Sequence, residues 1–80
     1  LVFALFEFGK AQVLIGEFNE ALATLDQVLT AASEDEPRDF DFIVSIESRI
    51  AQVLKELGRT EEATEIERRI SSVSEILGDE

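Results

Sequence analysis

Two short stretches, GEFNEA at Gly16–Ala21 and GRTEEA at Gly58–Ala63, share a glycine, a glutamate and an alanine and lie 42 residues apart. Glycine can adopt the left-handed conformation that ends a helix without a clash of Cβ. A further small residue lies seven positions before each glycine, at Gly9 and Ala51. Small side chains on both sides of a turn let two antiparallel helices approach closely. The duplicated pattern therefore predicts two helical hairpins.

Apolar residues recur at three- and four-residue spacings through most of the chain, which is typical of helices with one buried face. The stripes predict helices from about Phe18 to Ala32, from Ile43 to Leu57 and from Ala63 to Leu77. The first segment, Leu1–Ile15, is apolar on nearly all sides, as in a helix buried on several faces. We expect an all-α fold in one domain, residues 1–80. Hairpin 1 covers about 1–32, an acidic connection about 33–39 and hairpin 2 about 40–77.

The connection between the hairpins reads SEDEPRDFDF from Ser33. Ser33 and Glu36 have the spacing of a capping box, and Pro37 suits a first helical turn. These signals predict that the third helix begins near Pro37 or Asp39. The acidic cluster lacks the ligand order and central glycine of an EF-hand, so we interpret it as solvated linker and helix cap, with no metal site.

Composition restricts the classes of function. The 80 residues include 18 acidic and 7 basic side chains, a formal charge of -11, and such a chain repels nucleic-acid phosphates. Cysteine and histidine are absent, so this chain offers no disulfide, no thiolate or imidazole ligand and no Cys-His or Ser-His catalytic pair. We expect no catalytic residues, no cofactor and no nucleic-acid partner.

The apolar opening, Leu1–Phe6, is interrupted by Glu7 and is far shorter than the roughly 20 residues of a spanning helix. We expect no membrane insertion. The sequence carries no recognisable sorting signal, which favours a cytoplasmic location.

With its paired glycines and small residues, the sequence resembles the tetratricopeptide repeat family, whose unit is an antiparallel helix pair. The signature positions are Gly9, Gly16, Ala21, Ala51, Gly58 and Ala63. The family's usual repeat is about 34 residues, so a spacing of 42 is similar to its longer variants. Two features depart from the pattern: the bulky aromatic position of the first helix is Leu5 and then Glu47, and the customary proline after the second helix is missing.

The resemblance implies that the first helix of each hairpin lines a concave groove that binds a peptide or a helix. Projected by helical spacing, that face carries Phe3, Phe6, Lys10, Val13 and Leu14 from the first hairpin and Ser45, Ser48, Gln52, Lys55 and Glu56 from the second. Lys10 and Lys55 are the only cations expected on this face, and it has no asparagine. This disfavours the clamp for a terminal carboxylate that some members of the family carry. The expected function is a protein-interaction module of a scaffold or adaptor protein.

The alternative is a homotypic assembly module, a homo-oligomer formed through the apolar opening LVFALFEFGK or through a seam of coiled-coil spacing. That seam comprises Ala63, Ile66, Ile70, Val73 and Leu77. The opening also fits an interior helix of a longer repeat array, or the core of this domain itself. The substitution Phe6→Glu separates the two functions, because it abolishes partner capture in the first case and dissociates the particle in the second.

Overall fold

The computed structural model describes the backbone of residues 2–78 and the side chains of residues 2–72. It contains four helices: α1 (Val2–Leu14), α2 (Phe18–Glu34), α3 (Phe40–Glu56) and α4 (Thr60–Gly78). Helix α1 packs on α2, α2 on α3, and α3 on α4. The prediction of an all-α fold built from antiparallel hairpins is confirmed.

Both glycine turns have the predicted conformation. Gly16 has a φ of 84° and Gly58 a φ of 80°. After α1, the amides of Gly16 and Glu17 donate to the carbonyls of Val13 and Gln12 at 3.1 and 2.9 Å. After α3, Gly58 and Arg59 repeat the arrangement at 3.0 and 2.8 Å. Each hairpin therefore turns through a Schellman motif that satisfies the last carbonyls of its first helix.

Small residues lie where the helices of each hairpin come closest. A Cβ added to Gly9 would lie 3.0 Å from Leu25 Cδ2 and 3.3 Å from Thr24 Cγ2. Ala51 and Ala63 are 1% and 0% exposed at the corresponding place in the second hairpin. Larger side chains at these positions would push the helices apart, since packed interiors tolerate little added volume.

The core runs through all four helices and is centred on Leu25, Val28, Ile46 and Val53, which are fully buried. Among the described residues α1 also meets α3, whereas α4 contacts only α3. In a closed four-helix bundle the first and last helices would meet. The Cα atoms extend 40 × 30 × 16 Å, so the hairpins stack side by side in a flattened arrangement.

The start of the third helix differs from part of the prediction. Helix α3 begins at Phe40, and Asp39 caps it by accepting a hydrogen bond from the Phe42 amide at 3.1 Å. Pro37 lies outside the helix, and Ser33 belongs to the last turn of α2. The prediction of a capping box from Ser33 and Glu36 was wrong. Helix α2 extends to Glu34, so Ser33 lies inside that helix and cannot cap the next one.

In the part of the chain that the structure describes, no helix combines the length and the apolarity needed to cross a bilayer.

Candidate functional site

A groove lies between the first helices of the two hairpins, and we call it the α1–α3 groove. It has a volume of about 380 Å³ and is open to solvent. Its lining residues are Glu7, Lys10, Ala11, Val13 and Leu14 of α1 and Arg49 and Gln52 of α3. Four of the predicted binding residues thus lie together in one groove: Lys10, Val13, Leu14 and Gln52.

The apolar wall of the groove belongs to the last turn of α1. Leu14 is 87% exposed, while Val13 is half-buried against the core. Phe3, predicted as a binding residue, lies about three turns earlier in the same helix and does not line the groove. It is also exposed, and its ring lies 4.7 Å from that of Phe42. This edge of α1 offers apolar surface to an incoming side chain.

The polar wall carries two cations. The Lys10 Nζ lies 3.0 Å from a carboxylate oxygen of Glu7, one turn earlier in α1. Arg49 faces it from α3, beside Gln52, and forms no ion pair with the residues described. Two cations and one carboxylate give the groove a local excess of positive charge, in a chain whose formal charge is -11.

Phe6 lies in the core and not on the groove surface, so its prediction as a binding residue is corrected. It is 8% exposed, and its ring meets the Phe42 ring edge to face at 5.3 Å. The Lys10 Nζ lies 4.9 Å from the centre of the Phe6 ring and covers it. Helical spacing placed Phe6 near the groove, but the neighbouring aromatic of α3 closes over it.

Ser48 and Lys55 are exposed on α3 but lie outside the α1–α3 groove. The Lys55 Nζ is 2.6 Å from a carboxylate oxygen of Glu67, so this lysine is directed towards α4. The inner face predicted for α3 was too wide, because a helix in the middle of a row has neighbours on two sides. Only the side turned towards α1 shares the groove.

Sequence reasoning missed Arg49. It lies three residues before Gln52, and residues three apart occupy the same face of a helix. That spacing was sufficient to place the arginine beside the glutamine. Its omission led to the expectation that lysines were the only cations of the face.

Sequence reasoning also missed the buried polar contact between α1 and α2. The Thr24 hydroxyl donates a hydrogen bond to Gln12 Oε1 at 2.6 Å, and both residues are buried. Buried polar groups are costly unless they are paired. The pair therefore fixes the position of α1, and with it one wall of the groove, relative to α2.

Two other charged pairs lie outside the groove and stabilise the start of α4 and the contact between α3 and α4. Arg59, which immediately precedes α4, donates two hydrogen bonds to the Glu62 carboxylate in the first turn of that helix, at 2.7 and 2.8 Å. The hydrogen bond from Arg59 lowers the pKa of the Glu62 carboxyl, and the same bond raises the pKa of Arg59. Arg69 lies 3.7 Å from Glu47 of α3. The spacing Glu65 to Arg69 predicts an ion pair within α4, but the contact observed for Arg69 joins two helices.

No group of three or more acidic side chains within the described part of the chain is arranged to hold a metal ion. The acidic residues of the connection are exposed. The α1–α3 groove offers apolar contact, hydrogen bonds and positive charge, which are the means of binding a segment of another molecule.

Comparisons with family models, with curated proteins and with solved structures found no match to this chain. The resemblance to tetratricopeptide repeats stays a prediction from the residues that carry it.

Proposed function

We propose that this chain is a non-catalytic protein-interaction module that binds a peptide or a short helix in the α1–α3 groove. The observation that carries the proposal is the exposed Leu14 beside two cations in one open groove. Removing apolar surface from water is favourable, so a partner that covers Leu14 gains free energy of binding.

The lining residues define the chemistry of the partner. Leu14 and Val13 suit one apolar side chain, which would be removed from water on binding. Arg49 and Lys10 suit a carboxylate of the same segment, because a guanidinium can form two parallel hydrogen bonds with a carboxylate. Gln52 can both donate and accept hydrogen bonds from a peptide backbone. The proposed partner is a segment with an apolar residue near an acidic one.

The size of the groove fits a segment and not a whole domain. A volume of about 380 Å³ lies at the lower end of the range for ligand pockets. A partner segment that contacts only this small groove should bind weakly and reversibly, which is typical of modules in scaffold and adaptor proteins. Several copies or repeated motifs would raise the overall affinity through effective concentration.

The test begins with a random-peptide display library selected on the purified chain. Selected peptides should combine an apolar residue with Asp or Glu. Burying a leucine stabilises by about 1.5 to 3 kcal/mol, and 1.4 kcal/mol corresponds to a factor of ten. Leu14→Ala should therefore weaken a selected peptide about tenfold or more in titration calorimetry.

Two further variants locate the binding. Arg49→Ala should weaken the peptide and reduce the salt dependence of its affinity, because a screened charge contact is lost. Phe8→Ala is the matched control, since Phe8 is an exposed apolar residue of α1 that does not line the groove. Equal losses in Leu14→Ala and Phe8→Ala, or a selection that enriches no peptide, would contradict the proposal.

A further inference from the structure

Helix α1 has a second exposed apolar surface, distinct from the groove, which we call the back face of α1. It consists of Ala4, Phe8, Ala11 and Ile15, all exposed, with Phe8 at 56% and Ile15 at 69%. The spacings of four, three and four residues place them on one side of the helix. The Ile15 amide donates to the Ala11 carbonyl at 3.2 Å, so helical geometry continues through the last of them.

No other described helix covers the back face. Gly9 and Gln12 turn towards α2, and Phe3 and Phe6 turn towards Phe42 of α3. Helix α4 does not contact α1 among the described residues. Ala11 lies at the border, because it also lines the α1–α3 groove.

The back face carries no charge. The charged residues of α1 are Glu7 and Lys10, and both line the groove. Nearly a third of the whole chain is charged, so an uncharged strip three turns long is distinctive. Copies of a chain with a formal charge of -11 repel each other, and an uncharged strip is where such copies can approach at the lowest cost.

The order of side chains along the back face is self-complementary. It alternates small and large: Ala4, Phe8, Ala11, Ile15. When a second copy runs antiparallel across a two-fold axis, Phe8 meets the partner copy's Ala11 and Ala4 meets the partner copy's Ile15. Every large side chain then faces a small one, as required for close packing of two helices. A two-fold interface must complement itself in this way.

We propose that two copies of this chain associate through the back face of α1, antiparallel and with two-fold symmetry. Four side chains on each copy cover less than the roughly 800 Å² per partner of a standard stable interface. The dimer is therefore weak and depends on concentration. It leaves both α1–α3 grooves open to solvent apart from Ala11 at their border, so a dimer presents two binding sites.

Sedimentation equilibrium tests the association. The apparent mass should rise from one chain towards two with increasing concentration, and added salt should strengthen the dimer by screening the repulsion between acidic copies. Phe8→Glu should keep the chain as a single copy throughout. Leu14→Glu is the matched control, because it adds the same charge to an exposed apolar position of α1 on the groove side, and it should dimerise like the unaltered chain.

Engineered cysteines test the register, and the absence of native cysteine makes the result clear. A mixture of Ala4→Cys and Ile15→Cys chains should form a disulfide between copies under mild oxidation, since a disulfide needs Cα atoms within about 7 Å. Either variant alone should not, because antiparallel pairing separates identical residues by about 16 Å along the helix. A single-chain mass at every concentration would overturn the proposal, as would efficient self-cross-linking of Ala4→Cys.

Discussion

The substitution Phe6→Leu tests whether Phe6 contributes to the core or to the binding of a partner. The leucine keeps apolar volume but loses the edge-to-face contact with Phe42, worth about 0.5 to 1.5 kcal/mol, and the cation–π contact with Lys10, worth about 0.5 to 1 kcal/mol. The free energy of unfolding should fall by about 1 to 2.5 kcal/mol. An 80-residue domain has a total stability of about 4 to 12 kcal/mol, so the change is large.

The matched control is Phe3→Leu. Phe3 also contacts Phe42, at 4.7 Å, but 65% of its surface is exposed. We expect a loss below about 1 kcal/mol, because exposed contacts contribute less than buried ones.

Urea unfolding followed by circular dichroism measures both variants. At about 4 to 8 °C per kcal/mol, Phe6→Leu should also lower the melting temperature by about 4 to 20 °C. Equal losses in Phe6→Leu and Phe3→Leu would refute the core assignment. A loss of peptide affinity in Phe6→Leu with unchanged stability would refute it too. The substitution Phe6→Glu was proposed from the sequence to separate the two functions. It should instead unfold the chain, since it places an unpaired carboxylate in the core.

Three further predictions concern the contacts that hold the hairpins. Thr24→Val should lower the free energy of unfolding by about 1 to 3 kcal/mol because it leaves the Gln12 oxygen unpaired, whereas the double variant with Gln12→Leu should recover part of the loss in a double-mutant cycle. Gly58→Ala should cost about 1 to 2 kcal/mol in urea unfolding, because its positive φ disfavours any Cβ while no neighbouring atom lies within 4 Å. The Glu62 carboxyl should titrate below the ordinary pKa of glutamate in NMR, and Arg59→Gln should return it towards that value. Its contribution to stability is present above the ordinary glutamate pKa and is lost as the pH falls through the lowered one, so the unaltered chain should lose more stability on acidification than Arg59→Gln does.

The helices and their turns could be predicted from the sequence because local signals agree with the packing. Gly16 and Gly58 each follow an apolar stripe, and each closes its helix in the left-handed conformation that glycine permits. The connection was harder, because Ser33 and Asp39 are both good caps. Helix α2 extends past Ser33, so Asp39 is the residue that caps α3. The point at which α2 ends depends on its contacts with other helices, which the local sequence does not give.

The site could be predicted only in part. Spacing identifies a face of an isolated helix, but neighbours decide which part of that face is open. Phe42 of α3 covers Phe6, and Glu67 of α4 forms an ion pair with Lys55. Neither contact can be predicted from the residues adjacent to Phe6 or Lys55 in the sequence. The predicted seam of α4 shows the same effect: Ala63 is buried and Ile66 packs on the core, whereas the side chains of Val73 and Leu77 lie outside the described residues.

Binding of an apolar and acidic segment in the α1–α3 groove can be tested residue by residue. The most direct measurement is a titration of the isotopically labelled chain with a peptide from the display selection, followed through the backbone amide signals in NMR. We expect the largest shifts at the amides of Leu14, Arg49 and Gln52. Shifts concentrated on α4 or on the back face of α1, with the groove amides unchanged, would contradict it.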